Sequence, residues 1–187
     1  MSVAGLALDA SNRTPIVLLR DPSGRRQVPI WIDHAQAHNI LAGIKGTHLE
    51  RPLSHDLMVD LLHAGNLHLE KVIIHAIEAN TFQAILKISP VTKDETENNE
   101  KPKALLDVDA RPSDAIALAV RTNCGIWMLE KVVGEASIPV DAEADEEDQD
   151  KFRRFLDEVS PAALVRHLKS RTPKGEEPSD PEDKSTK

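Results

Sequence analysis

The chain has 187 residues, which suits one domain followed by a tail, and a formal net charge of −8. Residues 1–140 contain 14 Lys and Arg against 17 Asp and Glu, a net charge of −3, whereas residues 141–187 contain 9 against 14, a net charge of −5. Since no basic stripe stands out, this composition argues against tight, nonspecific binding of duplex nucleic acid. A single cysteine excludes an internal disulfide. A membrane span needs about 20 consecutive apolar residues, and no stretch of the sequence approaches this length. We therefore expect a cytoplasmic protein without membrane contact.

The first third of the chain predicts an antiparallel meander and two helices. The expected strands are residues 3–8, 16–20 and 27–32, separated by segments rich in turn-forming residues. Asp33 is a good N-cap for a helix that ends near Gly43 or Gly46. Ser54 is the expected cap of a second helix, which stops at Gly65.

The rest of the domain predicts a long hairpin, a strand followed by a helix, and a final strand. The expected strands are residues 67–79, 81–88, 105–109 and 126–129, and the helix ends near Asn123. Residues 90–103 are polar and without periodicity, which is typical of a flexible loop. Because strands and helices interleave and antiparallel pairing dominates, we expect the α+β class: one mixed, mostly antiparallel sheet with helices packed against it.

The composition changes after Val140, where an acidic run extends to Asp150. Like charges in such a run repel one another and are typical of a linker. We therefore predict a domain at residues 1–140 and, at residues 141–187, an acidic linker, short helices and a disordered C-terminal tail. Removing this second part should leave folding nearly unchanged, because the linker offers little apolar surface for docking.

The turn that opens the third helix carries more polar chemistry than a buried turn needs. Its polar side chains are Asp107, Asp109, Arg111, Ser113 and Asp114. Pro112 suits the first turn of a helix, where its missing N–H would have no partner. The bidentate geometry of Arg111 could hold a phosphate or the charge of a transition state, and Asp109 and Asp114 could share a metal. Alternatively, Arg111 forms an internal salt bridge with Asp56 or Asp114 that only supports the turn.

Two stretches of the chain, taken together, resemble the bifunctional nuclease family. They are RPLSHDLMVDLL at residues 51–62 and DARPSDAIALA at 109–119, preceded by the similar GLALD at 5–9, PIVLL at 15–19 and VPIWI at 28–32. The resemblance covers roughly residues 1–138 in order. It implies DNase and RNase activity and a wedge-shaped dimer with a groove. One position departs from the family's pattern: the glutamate of the Gly-x-x-Glu that follows the Trp-Ile pair is Gln36 here, which removes a charge.

The helix that begins at Ser54 places three metal-type ligands on one narrow face. These are Asp56, Asp60 and His63, while the apolar residues are expected to pack inward: Leu57, Met58, Val59, Leu61 and Leu62. Two carboxylates one turn apart suit Mg²⁺ or Mn²⁺. The solvated face of an amphipathic helix gives the same pattern, so the spacing leaves both interpretations open.

These patterns and the resemblance together predict a metal-assisted nuclease that cleaves DNA and RNA with little sequence preference and forms a homodimer. The predicted catalytic residues are His55, as a general acid or base, Asp56, Asp109, Arg111 and Asp114. The predicted ligands of the cation are Asp56, Asp60 and Asp109. Trp31 and Trp127 are predicted to lie in the core, since they sit in apolar strands. The alternative is a non-enzymatic interaction or regulatory module, whose ion pairs are structural and whose acidic tail recruits a partner.

Overall fold

The computed structural model describes residues 1–46, 50–91, 105–140, 147 and 149–154. In chain order its elements are β1 (Ser2–Leu8), β2 (Pro15–Arg20), β3 (Arg26–Trp31), α1 (His34–Lys45), α2 (Ser54–Ala64), β4 (Leu67–Glu78), β5 (Thr81–Pro90), β6 (Leu106–Ala110), α3 (Pro112–Thr122), β7 (Gly125–Met128), α4 (Glu130–Ala136) and β8 (Ile138–Pro139). The predicted loop beyond residue 91 and the predicted elements beyond residue 154 lie outside the described residues. In the described part of the chain, every helix is too short or too polar to cross a membrane.

The first sheet contains the predicted meander, with the strand order β1-β2-β3-β8 and antiparallel pairing throughout. Val17, Leu19 and Val28 are fully buried in it, which accounts for the apolar character of β2 and β3. The short strand β8 and helix α4 were not predicted. A two-residue strand has no periodicity to detect, and β8 exists because it pairs with Arg26 and Gln27.

The second sheet has the order β6-β5-β4-β7, in which β4 and β7 run parallel and the other pairs antiparallel. Ala79 and Asn80 connect β4 to β5, and both have positive φ angles, as a tight hairpin turn requires. The structure thus confirms the α+β class and the dominance of antiparallel pairing. The strands are divided between two sheets where the sequence analysis expects one, because periodicity indicates a strand but not its neighbour.

Helix α3 lies at the centre of the fold and contacts α1, α2, β4 and β5. Its buried residues include Ala115, Ala117 and Ala119, whose small side chains allow neighbours to approach from several sides. Pro112 begins the helix, as predicted, and Asn123 ends it in the left-handed conformation.

Gly43 of α1 is packed tightly against α3. A Cβ atom at this position would lie 2.5 Å from Cγ2 of Val120 and 2.7 Å from a terminal nitrogen of Arg121. Gly43→Ala should therefore lower the free energy of unfolding by about 1–3 kcal/mol, although alanine favours helices. Gly134→Ala is the matched control, because nothing lies within 4 Å of a Cβ there and the change should be neutral or stabilising. Equal melting temperatures for the Gly43→Ala variant and wild type would contradict the close packing.

Helix α2 is oriented differently from the prediction. Ser54 is its first residue and Leu53 its N-cap, with the Asp56 carboxylate accepting the Leu53 N–H at 2.8 Å. Three of the apolar residues that were expected to pack inward are exposed: Leu57, Met58 and Leu61. The prediction was wrong because α2 turns its His55 and Asp56 side towards α3, where both residues find partners.

The compact unit of the chain extends from Met1 to Phe152, beyond the predicted boundary at residue 140. Residues 149–154 are helical, and the Phe152 side chain is 2% exposed. Gln149 approaches Gly5 of β1 so closely that a Cβ there would lie 2.8 Å from its side chain.

Ending the chain after Val140 should lower the free energy of unfolding by about 2 kcal/mol, because the contribution of a buried aromatic side chain is lost. Denaturant unfolding of the shortened chain and of one that ends after residue 154 would measure this loss. The longer chain should unfold like the full-length protein. Equal stability of all three would mean that Phe152 contributes little.

Candidate functional site

A groove of about 340 Å³ opens where the two sheets meet. It is lined by residues 30–32 at the end of β3, Gln36 of α1, residues 80–83 of the β4–β5 hairpin, and residues 109–113 at the junction of β6 and α3. Four separate parts of the chain therefore form one concave surface, within the size range of pockets that bind small ligands.

The β6–α3 junction supplies the charged side chains of the groove, Asp109 and Arg111. Asp109 is exposed on the edge strand β6, and Arg111 is the extended N-cap residue of α3. Because Pro112 begins the helix at once, Arg111 stays at the rim and does not enter the helix. Two residues that were predicted to act together therefore line the same groove.

Asp114 connects Arg111 to the buried His55. One carboxylate oxygen of Asp114 accepts the Arg111 Nε–H at 2.8 Å, and the other lies 3.2 Å from Nε2 of His55. The hydrogen bond from Arg111 to Asp114 is the main reason why the pKa of Arg111 is raised. Arg111 is 68% exposed whereas His55 is 6% exposed, so Asp114 joins a guanidinium at the rim to an imidazole in the interior.

Asp56 is engaged elsewhere, in an ion pair with Arg121 of α3. The Arg121 Nε–H donates to Asp56 at 2.6 Å, and a terminal nitrogen of Arg121 donates to the carbonyl oxygens of Asn39 and Ala117. The hydrogen bond from Arg121 is the largest cause of the lowered pKa of Asp56. Arg121 thus links α1, α2 and α3, and Asp56 is not among the described residues that line the groove.

The predicted metal ligands do not converge. In the part of the chain that the structure describes, no three His, Cys, Asp or Glu side chains are close enough together to hold an ion. Asp56 is paired with Arg121, Asp60 is exposed on α2, and Asp109 lies in the groove. The three carboxylates therefore do not lie together around one cation site in this structure. A role for Asp109 in binding a cation stays a prediction.

The prediction that Trp31 and Trp127 belong to the core was wrong, since they are 53% and 60% exposed. Trp31 lines the groove, and its indole N–H donates to Asp9 at 3.0 Å. The alternation of β3 could have shown this, because Ile30 and Ile32 are buried and the residue between them must face the other way. The apolar character of the segment favours the core, whereas its alternation places Trp31 on the opposite face from Ile30 and Ile32.

Gln36, the position that departs from the family's pattern, lies in the groove and also caps α1. Its side-chain oxygen accepts the Asp33 N–H at 3.0 Å, and its own N–H donates to the Asp33 carboxylate at 2.7 Å. A glutamate could accept the same hydrogen bond, so glutamine preserves this capping box and removes a negative charge from the groove.

Known proteins match most of the chain. Residues 17–141 match the family model of the bifunctional nuclease domain, a span that contains the β6–α3 junction, Trp31, Gln36 and His55. The chain is 35% identical over 167 residues to each of two uncharacterized proteins, MT1877 and Rv1829, from two strains of Mycobacterium tuberculosis. These alignments cover 85% of this chain and 93% of each relative. The resemblance seen in the sequence is confirmed: the chain belongs to the bifunctional nuclease domain family.

Proposed function

We propose that this protein is a nuclease that hydrolyses phosphodiester bonds in DNA and RNA with little sequence preference, assisted by a divalent cation. The family membership supports nuclease-type chemistry, and the observation that carries the proposal is that Asp109 and Arg111 line one open groove. A phosphodiester resists attack by water because it is negatively charged, so a site that cleaves it must offer positive charge to its oxygens.

Arg111 is suited to bind the phosphate. Its Nε–H is used by Asp114, and in the described part of the chain its terminal nitrogens have no hydrogen-bonding partner. Two parallel donors match two oxygens of a phosphate, and they can stabilise the charge that develops as water attacks phosphorus and the sugar oxygen leaves. This recognition involves only the phosphate group, which is why we expect activity on both DNA and RNA and little sequence preference.

Asp109 would hold the divalent cation, Mg²⁺ or Mn²⁺. Mg²⁺ is commonly bound by one or two carboxylates together with phosphate oxygens of the substrate, so a single carboxylate in the groove fits this mode. When bound, the cation would neutralise phosphate charge and lower the pKa of a coordinated water. Asp109 is exposed, and in the described part of the chain it has no ion-pair partner that would compete for its oxygens.

We assign His55, Asp114 and Asp56 supporting roles. Asp114 holds Arg111 through its side-chain hydrogen bond, and His55 contacts Asp114 from the interior. With 6% of its surface exposed, His55 is a positioning residue that acts through Asp114, and direct proton transfer to a substrate is not open to it in this arrangement. Asp56 supports the packing of the helices through Arg121.

Cleavage assays with the purified protein test the proposal. End-labelled single-stranded DNA and RNA of the same sequence should both be cut in the presence of Mg²⁺ or Mn²⁺, and a chelator should abolish cleavage of both. A sample carrying an Asp109→Asn change and purified in parallel controls for contaminating nucleases. Absence of cleavage by the pure wild-type protein with either metal would contradict the proposal.

A regulatory or interaction module is the alternative function. It is favoured by the ion pairs of Asp56 with Arg121 and of Asp114 with Arg111, which a purely structural network would also contain. This alternative predicts that pure protein cuts neither substrate and that the Asp109→Asn change has no biochemical effect. The same cleavage assay therefore separates the two functions.

We propose that two copies of the chain associate through α2. Leu57, Met58 and Leu61 form an exposed apolar patch on this helix, and Leu61 is 62% exposed. Such patches mark interaction sites, and closed two-fold pairing is the commonest symmetric arrangement.

Leu61→Glu should convert a dimer into a monomer, because two like charges would meet in a two-fold interface. Light scattering during gel filtration at micromolar concentration would measure the mass. Ile44→Glu, which changes an exposed apolar residue on α1, is the matched control and should leave the dimer intact. A monomer mass for the wild-type protein would refute the proposal.

We also propose a cytoplasmic location. Cys124 is the sole cysteine of the sequence, so the chain cannot form the internal disulfides on which many small secreted domains depend. Cell fractionation should recover the protein together with a cytoplasmic marker enzyme, and recovery in any other fraction would contradict this location.

A further inference from the structure

Trp31 is exposed, and the packing of the described residues does not require it to be. It follows the buried Ile30 at the end of β3 and is 53% exposed, although a large aromatic side chain gains most from burial. Isolated exposed aromatic residues are common, but this one lies in the groove that also contains Asp109 and Arg111. Its position therefore suggests a ligand with a flat, apolar face.

The indole of Trp31 is held in place by Asp9. The indole N–H donates to one oxygen of the Asp9 carboxylate at 3.0 Å, while the other oxygen accepts the backbone N–H of Ser11 at 2.9 Å and the Ser11 hydroxyl. Hydrogen bonds from Ser11 and then Trp31 lower the pKa of Asp9 to about 2, so the acceptor stays ionised at any physiological pH. An aromatic ring that is oriented before binding loses less entropy when a ligand stacks on it.

The rest of the groove suits the other parts of a nucleotide. Arg111 can bind a phosphate, the side-chain NH2 of Gln36 offers donors to the edge of a base, and the amide of Gln83 offers donors and an acceptor. Of the residues that the structure describes around the groove, Arg111 is the cation and Asp109 the anion. Electrostatic attraction of the groove to the phosphate backbone is therefore weak. Much of the affinity for a nucleic-acid strand has to come from contacts that do not depend on charge.

We propose that Trp31 is a stacking platform for an unpaired nucleobase of the substrate strand. The inference rests on the proposed function, since it names the form of nucleic acid that the groove binds. Bases in single strands can leave their neighbours and stack on an aromatic side chain, whereas bases in a duplex are already stacked and paired. The protein therefore selects single-stranded DNA and RNA over duplexes at the binding step.

Binding of fluorescein-labelled oligonucleotides, in the presence of a chelator, tests the proposal. The probes are a single strand of about eight nucleotides, the same strand with abasic sites, and a duplex. Trp31→Ala should weaken binding of the base-containing single strand about 10-fold or more, and Trp31→Phe should retain most of the affinity. Binding of the abasic strand and the duplex should be weak and should not respond to either change.

Trp127→Ala is the matched control, because Trp127 is also an exposed tryptophan but is not among the described residues of the groove. It should leave binding of all three probes as in wild type. Since the sequence contains two tryptophans, Trp127→Phe leaves Trp31 as the sole source of tryptophan fluorescence, which stacking should quench. Raising the salt concentration from about 50 to about 200 mM should weaken binding less than about 5-fold, as expected for few phosphate contacts.

The outcomes separate the stacking inference from the nuclease proposal. Full affinity of the folded Trp31→Ala variant for the base-containing strand, an equal loss in the Trp127→Ala variant, or no binding by wild type would each overturn the stacking inference. If wild type binds and quenches but does not cut when Mg²⁺ is added, the stacking inference stands and the nuclease proposal fails. If wild type cuts, Trp31→Ala should raise KM for single strands by a larger factor than it lowers kcat, and unchanged KM would overturn the inference alone.

Discussion

Asp109→Asn should lower kcat/KM for single-stranded DNA and RNA by about two orders of magnitude or more, which is the scale for losing one key electrostatic group of an active site. The carboxylate is the only charge that the substitution removes, and amide and carboxylate have nearly the same shape. Because Asp109 is exposed on the edge strand β6, its replacement should hardly change the melting temperature. Initial rates at several Mg²⁺ concentrations would show whether the loss reflects weaker binding of the cation.

Asp107→Asn is the matched control for this prediction. Asp107 lies two residues earlier on β6, is also exposed, and forms an ion pair with Lys87 at 2.6 Å outside the groove. Its replacement should leave cleavage near the wild-type rate.

Arg111→Lys provides a second test of the same site. Lysine keeps the positive charge but loses the paired N–H donors, so this change should lower the cleavage rate substantially. Equal rates for wild type and a folded Asp109→Asn variant would show that the cleavage site lies elsewhere.

Asp56→Asn should lower the free energy of unfolding by about 3 kcal/mol. The change leaves the Arg121 guanidinium, whose side chain is 8% exposed, without its anionic partner. This value is at the lower end of the stability losses that follow when one partner of a buried ion pair is removed. The loss is limited because about a third of the Asp56 side chain is in contact with solvent. Arg121→Met should have a comparable effect, and the two changes together should cost less than the sum of the single changes, because the same contact is lost.

The pH dependence of this loss identifies the carboxylate as its source. The pKa of Asp56 is lowered in the folded protein, so its ionised form stabilises the fold fully above its unfolded pKa of about 3.9. This contribution disappears as the pH falls through the lower, folded value. The stability difference between wild type and Asp56→Asn should therefore be constant from about pH 5 to 8 and should shrink below about pH 4.

The cleavage rate of the Asp56→Asn variant distinguishes the structural from the catalytic interpretation of Asp56. Assayed well below its melting temperature, the Asp56→Asn variant should cut at a rate close to wild type, since Asp56 is not among the described residues of the groove. A loss of cleavage as large as that of Asp109→Asn, with unchanged stability, would instead restore Asp56 to the active site.

Much of the fold could be predicted because its causes lie within a few residues of sequence. Asp33 caps the start of α1 and Pro112 begins α3, as predicted, and Gly46 caps the end of α1, one of the two ends that the sequence allowed. The β4–β5 hairpin follows equally from two long apolar strands joined by Asn80. The family resemblance was also contained in the sequence, and the match over residues 17–141 confirms it.

The candidate site was predictable only in part. Asp109, Arg111 and Asp114 lie close together in the sequence, at the junction of β6 and α3. Their proximity in the structure therefore follows from their positions along the chain. The two aspartates of α2 carry the same sequence signal as Asp109, but Asp56 is bound by Arg121, which lies 65 residues further along the chain. No local pattern could have separated a carboxylate that faces a groove from one that faces a buried guanidinium.

The amino-acid sequence by itself determined most of the segments that become strands and helices, where most of these begin and end, and which family the chain belongs to, because capping, turn geometry and apolar periodicity are local. The tertiary structure alone decided that the strands form two sheets, that α2 exposes Leu57, Met58 and Leu61, and that Trp31 lies in the groove. These features depend on which distant surfaces pack together. The free energy of that packing is shared among residues far apart in the chain, and it therefore leaves no pattern within any one segment.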